Sequence, residues 1–228
     1  MFNMFIHPPK TGGMTVWKSL VGDTQITREN CFKSGDWNHY HLQYPTPRDF
    51  EKLKESDGRC VISLRDPVEQ WISAYNFQRY NMVVLEEDGA EAVVRYGMMD
   101  PKLAEMSITG LRKHFEQRFD GFDPRKNQLK ELLLDENIDF YNPKDRYAQL
   151  IVKLMEDYWG DIYIIEQETL ELDIETKLNI KFMGSENMIN YGEKIEIVDE
   201  VDEEMMEMFS DQLENDYDAY YNLLAEEK

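Results

Sequence analysis

Phe2-Asn3-Met4-Phe5-Ile6-His7-Pro8-Pro9-Lys10-Thr11-Gly12-Gly13-Met14-Thr15 decides how this chain folds. Residues 2–6 are a short, mostly apolar run closed by His7-Pro8-Pro9, which predicts a buried strand. After Gly12-Gly13 comes a helical pattern over residues 14–20, with Trp17, Leu20 and Val21 on one side. Strand, glycine loop and helix together make an anion-binding layout. Glycine lets the backbone approach an anion, and a helix N-terminus presents unpaired N–H groups and a favourable dipole. Lys10 adds a cation, and Thr11 and Thr15 add hydroxyls.

The same order recurs further on. Cys60-Val61-Ile62-Ser63-Leu64 is a second strand signal, followed at once by Arg65-Asp66-Pro67 and a helical pattern through Trp71, Ile72, Tyr75 and Phe77. Asp66 suits the N-cap, Pro67 the first helical position, and Glu69 a capping-box-like arrangement. Residues 22–44 show no clear period and read as loop with short elements. Residues 50–55 read as one or two helical turns, 81–134 as helix in pieces, 146–158 as helix and 162–165 as a third strand. The tail, about 201–225, predicts an acidic helix whose stripe of Val201, Met205, Met208, Phe209, Leu213, Tyr217, Tyr220 and Leu224 docks on the core. Strands alternating with helices predict an α/β domain, 1–228, with a parallel sheet flanked by helices. Ligands of such sheets bind beyond the carboxyl ends of the strands, where both glycine- and arginine-bearing loops fall.

Composition narrows the partners. With 42% hydrophobic residues in 228, there is material for a real core. The balance of 25 Lys+Arg against 46 Asp+Glu, net −21, argues against a nucleic-acid partner and against a long polyanionic acceptor. Cys60 opens an apolar run and reads as a buried free thiol, so Cys31 and Cys60 do not indicate a disulfide framework. No run approaches the roughly 18 apolar residues of a membrane span, and no basic n-region opens the chain. A soluble protein in the reducing cytoplasm, with no membrane partner, is the expectation.

Residue order separates two kinds of phosphate loop. The Walker A loop places Lys after its second Gly, next to a hydroxyl that holds magnesium. Here Lys10 precedes Gly12 and Gly13, which argues against a P-loop nucleotide kinase. The segment His7-Pro8-Pro9-Lys10-Thr11-Gly12-Gly13 resembles the 5′-phosphosulfate loop of sulfotransferases that use 3′-phosphoadenosine-5′-phosphosulfate (PAPS). Met14 departs from that pattern, standing where a Thr or Ser is usual. Arg65-Asp66-Pro67 followed by Ser73-Ala74-Tyr75 resembles the same family's 3′-phosphate motif, with Gln70 replacing a frequent Arg. The resemblance is strong near 5–22 and 58–79 and weak elsewhere. It implies a P-loop-like sheet and PAPS as co-substrate, held by Lys10, Thr11, Gly12, Gly13, Met14, Thr15, Arg65 and Ser73.

Sulfuryl transfer to a hydroxyl needs a group that takes the acceptor's proton, and a histidine suits that task. His39-Tyr40-His41 resembles the equivalent segment of heparan-sulfate 2-O-sulfotransferases, which implies His41 as base with His39 as an orienting neighbour. Two readings compete with this: histidines with a purely structural role, and metal binding by His39, His41 and a third ligand such as His7 or Cys31. The spacing lacks a C-x-x-C partner, and the expected site holds no metal. Lys10 would stabilise the leaving group as adenosine 3′,5′-bisphosphate departs. The resemblance points to a carbohydrate hydroxyl as acceptor, chosen by residues 81–134, with Tyr80, Tyr96 and Phe115 as stacking candidates. Arg112, Lys113, Arg118, Arg125 and Lys126 form the one dense basic region, read either as an anionic-acceptor contact or as a solvated helix face. Gly184-Ser185-Glu186-Asn187 is a late loop of the kind that approaches the donor in this family. Met14 and Gln70 favour the alternative of a nucleotide-binding protein of the same fold with impaired catalysis.

Overall fold

The computed structural model describes residues 1–22, 31–41, 44–93, 100–134, 150, 152–153, 162–184, 191–198 and 200–226. Its strands are β1 (Asn3–His7), β2 (Lys33–Ser34), β3 (Trp37–His41), β4 (Cys60–Leu64) and β5 (Ile162–Glu166). Its helices are α1 (Gly13–Val21), α2 (Pro47–Glu55), α3 (Pro67–Asp88), α4 (Ala90–Val93), α5 (Pro101–Arg118), α6 (Leu129–Leu133), α7 (Leu170–Lys177) and α8 (Glu203–Glu226). The strands make one sheet in the order β2-β3-β1-β4-β5. β1 runs parallel to both β3 and β4, and β4 parallel to β5, while the two-residue β2 lies antiparallel at the edge. The α/β class and the mostly parallel sheet are as the sequence led us to expect.

Contacts divide the chain into two compact units, the first comprising Met1–Gln70, Asn142–Glu186 and Leu213–Lys228. This unit holds the sheet, and the period of two sorts its side chains. Met4 and Ile6 of β1, Cys60, Ile62 and Leu64 of β4, and Ile164 of β5 face one way. They pack against Phe50 and Leu53 of α2 and Ala219, Tyr220 and Leu223 of α8. On the other face Phe5 lies against Trp17 of α1, ring centroids 6.2 Å apart. Both faces are covered, so the strands read as near-continuous apolar runs rather than as alternations. Cys60 is a buried free thiol, as expected, and burial pushes it up to about 12.

Two local expectations are corrected. Residues 37–41 are an inner strand, not loop, because Trp-Asn-His-Tyr-His alternates with histidine in the inward positions that an apolar count overlooks. Glu69 does not close a capping box. Its carboxylate accepts from Arg65 Nε at 3.2 Å, a charge-assisted bond that outcompetes a neutral backbone N–H. Asp66 does cap α3, accepting from Val68 N at 2.9 Å and Glu69 N at 3.1 Å. A capping box forms instead at α2, where Asp49 accepts from the N–H and hydroxyl of Thr46.

The second unit comprises Trp71–Tyr141 and Asn187–Gln212. Its hub is Arg79, fully buried on α3. Nε donates to Pro124 O at 3.0 Å, Nη2 to Glu196 O at 2.7 Å, and the guanidinium lies 4.6 Å from the Tyr75 ring centroid. Asn76 exchanges two bonds with the backbone of Val198. Met205 and Phe209 are buried here, Phe209 edge-on to Trp71 at 5.2 Å, so the expected stripe of the C-terminal helix is an inward face. Among the described residues no helix is long and apolar enough to cross a membrane. Of the helix expected at 146–158 only 150 and 152–153 are described, and Tyr96 and residues 185–187 lie outside the described residues.

A basic loop and a histidine cluster at the carboxyl edge of the sheet

Strand order places the site. From β1 the chain passes through α1 to β3 on one side, whereas from β4 it reaches β5 on the other. The carboxyl ends of β1 and β4 therefore flank a topological switch point, where parallel sheets open a crevice. The loop after β1 carries Lys10, and the turn after β4 carries Arg65.

The β1 loop is tied to β4 by buried polar groups. Thr11, with no exposed surface, donates its hydroxyl proton to Pro8 O at 2.7 Å. Its oxygen therefore accepts from Ser63 Oγ, also at 2.7 Å. Gln70 Nε2 donates to Pro9 O at 2.6 Å, and Arg65 Nη1 to Lys10 O at 3.4 Å. Gln70, where the resemblance expected an arginine, thus braces the loop.

The two glycines are required by space. A Cβ on Gly12, at φ 73°, would lie 2.1 Å from Gln167 Oε1, and one on Gly13 would lie 2.0 Å from His7 Cδ2. Gly12 O accepts from Thr15 N and Val16 N, which leaves the N–H groups of Gly13 and Met14 ahead of the first intrahelical bonds. Met14 and Thr15 are half-buried.

Lys10 is half-buried with φ 69°, a left-handed conformation that a lysine rarely adopts. Burial, and then the adjacent Arg65 guanidinium, push its ammonium down to about 8. Beyond Arg65 the surroundings turn acidic. The Glu168 carboxyl is held above its usual range by burial and by Glu69, Glu166 and Asp66. Tyr217 of α8 donates to the Asp66 carboxylate at 3.0 Å, and Tyr220 donates to Glu166 at 2.9 Å. The C-terminal helix thereby fixes the turn after β4 and the last residue of β5. Ser73 is half-buried on α3 and belongs to the second unit.

Beside the loop, three imidazoles share one face of the sheet. In the register His7 is paired with His41 and Phe5 with His39, so these side chains point to the same side. His39 Nδ1 lies 2.6 Å from Cys31 O, and His41 Nδ1 lies 3.1 Å from His7 O. A carbonyl only accepts, so both Nδ1 atoms carry the proton and both Nε2 atoms carry the lone pair. His7 Nδ1 lies 3.0 Å from His39 Nε2 and donates to it. The His7 and His41 rings stack at 4.3 Å, and Trp17 covers His39 at 4.7 Å. Burial, followed by the charges of His41, His39 and Lys10, holds His7 well below its usual value. Burial likewise takes His39 to about 4, so both are neutral at physiological pH. His41 is half-buried, and its Nε2 lone pair is suited to accepting a proton.

Three of the five cations in the basic region of the second unit are locally neutralised. Arg112 pairs with Glu116 and Glu86, Arg125 with Glu86 and Glu87, and Lys126 lies 3.9 Å from Asp123. This favours the solvated-face reading over an anionic-acceptor contact. Sequence reasoning missed Ser63, Gln167 and Tyr217, and left His7 and Cys31 as alternatives for the third ligand beside His39 and His41. Taking 37–41 as a strand would have settled that choice, since it sets His7 beside His41.

Fold and site define an α/β protein with a basic loop at its switch point and a histidine cluster alongside. No protein-family model, no curated protein and no solved structure matches the chain.

Proposed function

We propose that this chain is a cytoplasmic sulfotransferase that moves a sulfuryl group from PAPS to a carbohydrate hydroxyl on a P-loop-like sheet. The observation that carries the proposal is the convergence of Lys10 and Arg65, from loops after adjacent parallel strands, beside the N-terminus of α1. Two cations and open helix N–H groups at a switch point suit a multiply charged anion. A net charge of −21 makes a focused cationic site more telling, because the rest of the molecule repels such a ligand.

In this reading the 5′-phosphosulfate lies on residues 10–15 and Arg65 takes the 3′-phosphate. Thr11 acts through its backbone, since its hydroxyl holds the loop. The acceptor oxygen bonds to sulfur in line, the bond from sulfur to the bridging oxygen breaks, and the acceptor's proton passes to His41 Nε2. Lys10 neutralises the charge that develops on the bridging oxygen as adenosine 3′,5′-bisphosphate leaves. Most of the rate enhancement then comes from positioning and electrostatics, with the base contributing about 10²–10⁴-fold.

A second reading, nucleotide binding without turnover, draws on the Arg65–Glu69 pair and the committed Thr11 hydroxyl. Calorimetric titration of adenosine 3′,5′-bisphosphate, with ATP plus magnesium as control, tests the shared part. Binding should weaken about 10–100-fold in Arg65→Ala, the worth of charge-assisted hydrogen bonds. No binding, or preference for ATP with magnesium, rejects the donor site. Turnover of PAPS with a saccharide panel that is lost in His41→Ala then separates catalysis from mere binding.

A further inference from the structure

The three histidines carry an inference that does not depend on sulfuryl transfer. One ring nitrogen from each of His7, His39 and His41 lies within 4.8 Å of the others. They come from two adjacent parallel strands, two of them at alternate positions of β3 and the third opposite in the register. In His39 and His41 the Nδ1–H is given to a backbone carbonyl, of Cys31 and of His7. That is how metal-bound imidazoles are held, with one nitrogen oriented by an acceptor and the other turned to the ion. The 3.0 Å between His7 Nδ1 and His39 Nε2 is close to the roughly 3.3 Å edge of a tetrahedron with Zn–N near 2.0–2.1 Å.

The surroundings fit as well. Phe5 and Trp17 wall the cluster at 5.0 and 4.7 Å from His39, and Gly13 makes room for His7 where any side chain would collide. His7 and His39 are buried while His41 is half-buried, which leaves one side open for entry and for a fourth ligand.

We propose that His7, His39 and His41 form a three-histidine site for a divalent transition metal of the zinc class, its fourth position taken by solvent or ligand. Binding needs His7 to move its proton from Nδ1 to Nε2, a tautomer change with no net proton release, after which Nδ1 and the two Nε2 atoms supply the lone pairs. If His41 is also the base, metal and acceptor proton compete for one lone pair, so the ion would inhibit turnover. That consequence alone rests on the sulfotransferase reading.

The test is titration of the metal-stripped protein with Zn²⁺ and with Co²⁺, in millimolar Mg²⁺ to occupy surface carboxylates. Expected are one equivalent bound, tetrahedral Co²⁺ absorption bands, and affinity at least about tenfold weaker in His41→Ala, since losing a ligand costs no less than losing its outer-shell support. His41 is half-buried, so this variant should keep the wild-type circular dichroism. His39→Gln, which retains an amide at Cys31 O, is the second arm. No binding, binding abolished by Mg²⁺, or unchanged affinity in both variants would overturn the site. Bisphosphate titration alongside reads the Lys10–Arg65 loop separately, so either proposal can fail alone.

Discussion

Lys10 is the residue in which the tension of this site is concentrated. A left-handed backbone costs about 1–2 kcal/mol for a non-glycine residue, and burial beside Arg65 disfavours its charge. Such strain persists where the surroundings over-determine it, and here Arg65, Ser63 and Gln70 hold the loop. The unfolded lysine keeps its proton to about pH 10.4, whereas the folded one releases it near 8. Between those values the unfolded chain binds more protons, so the ligand-free protein should gain stability as pH rises from about 8 to 10. Anion affinity should move the opposite way, because the cation is lost over the same window. A bound anion favours the charged form, so the fall begins near the ligand-free value of about 8 and continues to the higher value of the complex. Bisphosphate titrations at about pH 7, 8 and 9 should show wild-type affinity declining by up to about tenfold per unit, with Lys10→Arg flat. A flat wild-type profile would remove Lys10 from the site.

At the scale of elements, α3 is held along its second half by Arg79, whose planar fork reaches Pro124 O and Glu196 O at once. Lysine offers a point charge on a flexible stem and cannot serve both carbonyls in that geometry. Each buried group left without its partner costs about 1–3 kcal/mol, so Arg79→Lys should lower unfolding free energy by about 2–4 kcal/mol. Denaturant unfolding measures this, and a change below about 0.5 kcal/mol would show that the fork is not what holds the second unit. Some elements were plain in the sequence and others hidden. β1, β4 and β5 stand out as apolar runs because both of their faces are covered. β3 was missed because two of its inward positions are histidines, which periodicity counts as polar. The sequence offered His39 and His41 with either His7 or Cys31 as a third member, and the choice of His7 exists only once β3 lies beside β1.

Over the whole molecule the excess of 21 negative charges outweighs the ion pairs, which are mostly exposed and worth about 0.2–1 kcal/mol each. Repulsion summed over many like charges reaches about 30 Å at 0.01 M salt and about 3 Å at 1 M. Added NaCl should therefore raise Tm between about 0.01 and 0.5 M, and a falling Tm would show that the local pairs dominate instead. By itself the sequence determined the α/β class, the two loops at strand ends, the Asp66 cap and the inward stripe of the C-terminal helix. These are local matters of period, turn chemistry and capping, fixed by residues a few positions apart. Tertiary structure alone decided that β1 lies between β3 and β4, and from that everything about the site follows. Residues 55 positions apart become neighbours at Lys10 and Arg65, Thr11 gives its hydroxyl to the loop rather than to a ligand, and three histidines meet on one face. The physical reason is that strand pairing is set by which faces can be buried together across the whole chain, and no stretch of sequence carries that information alone.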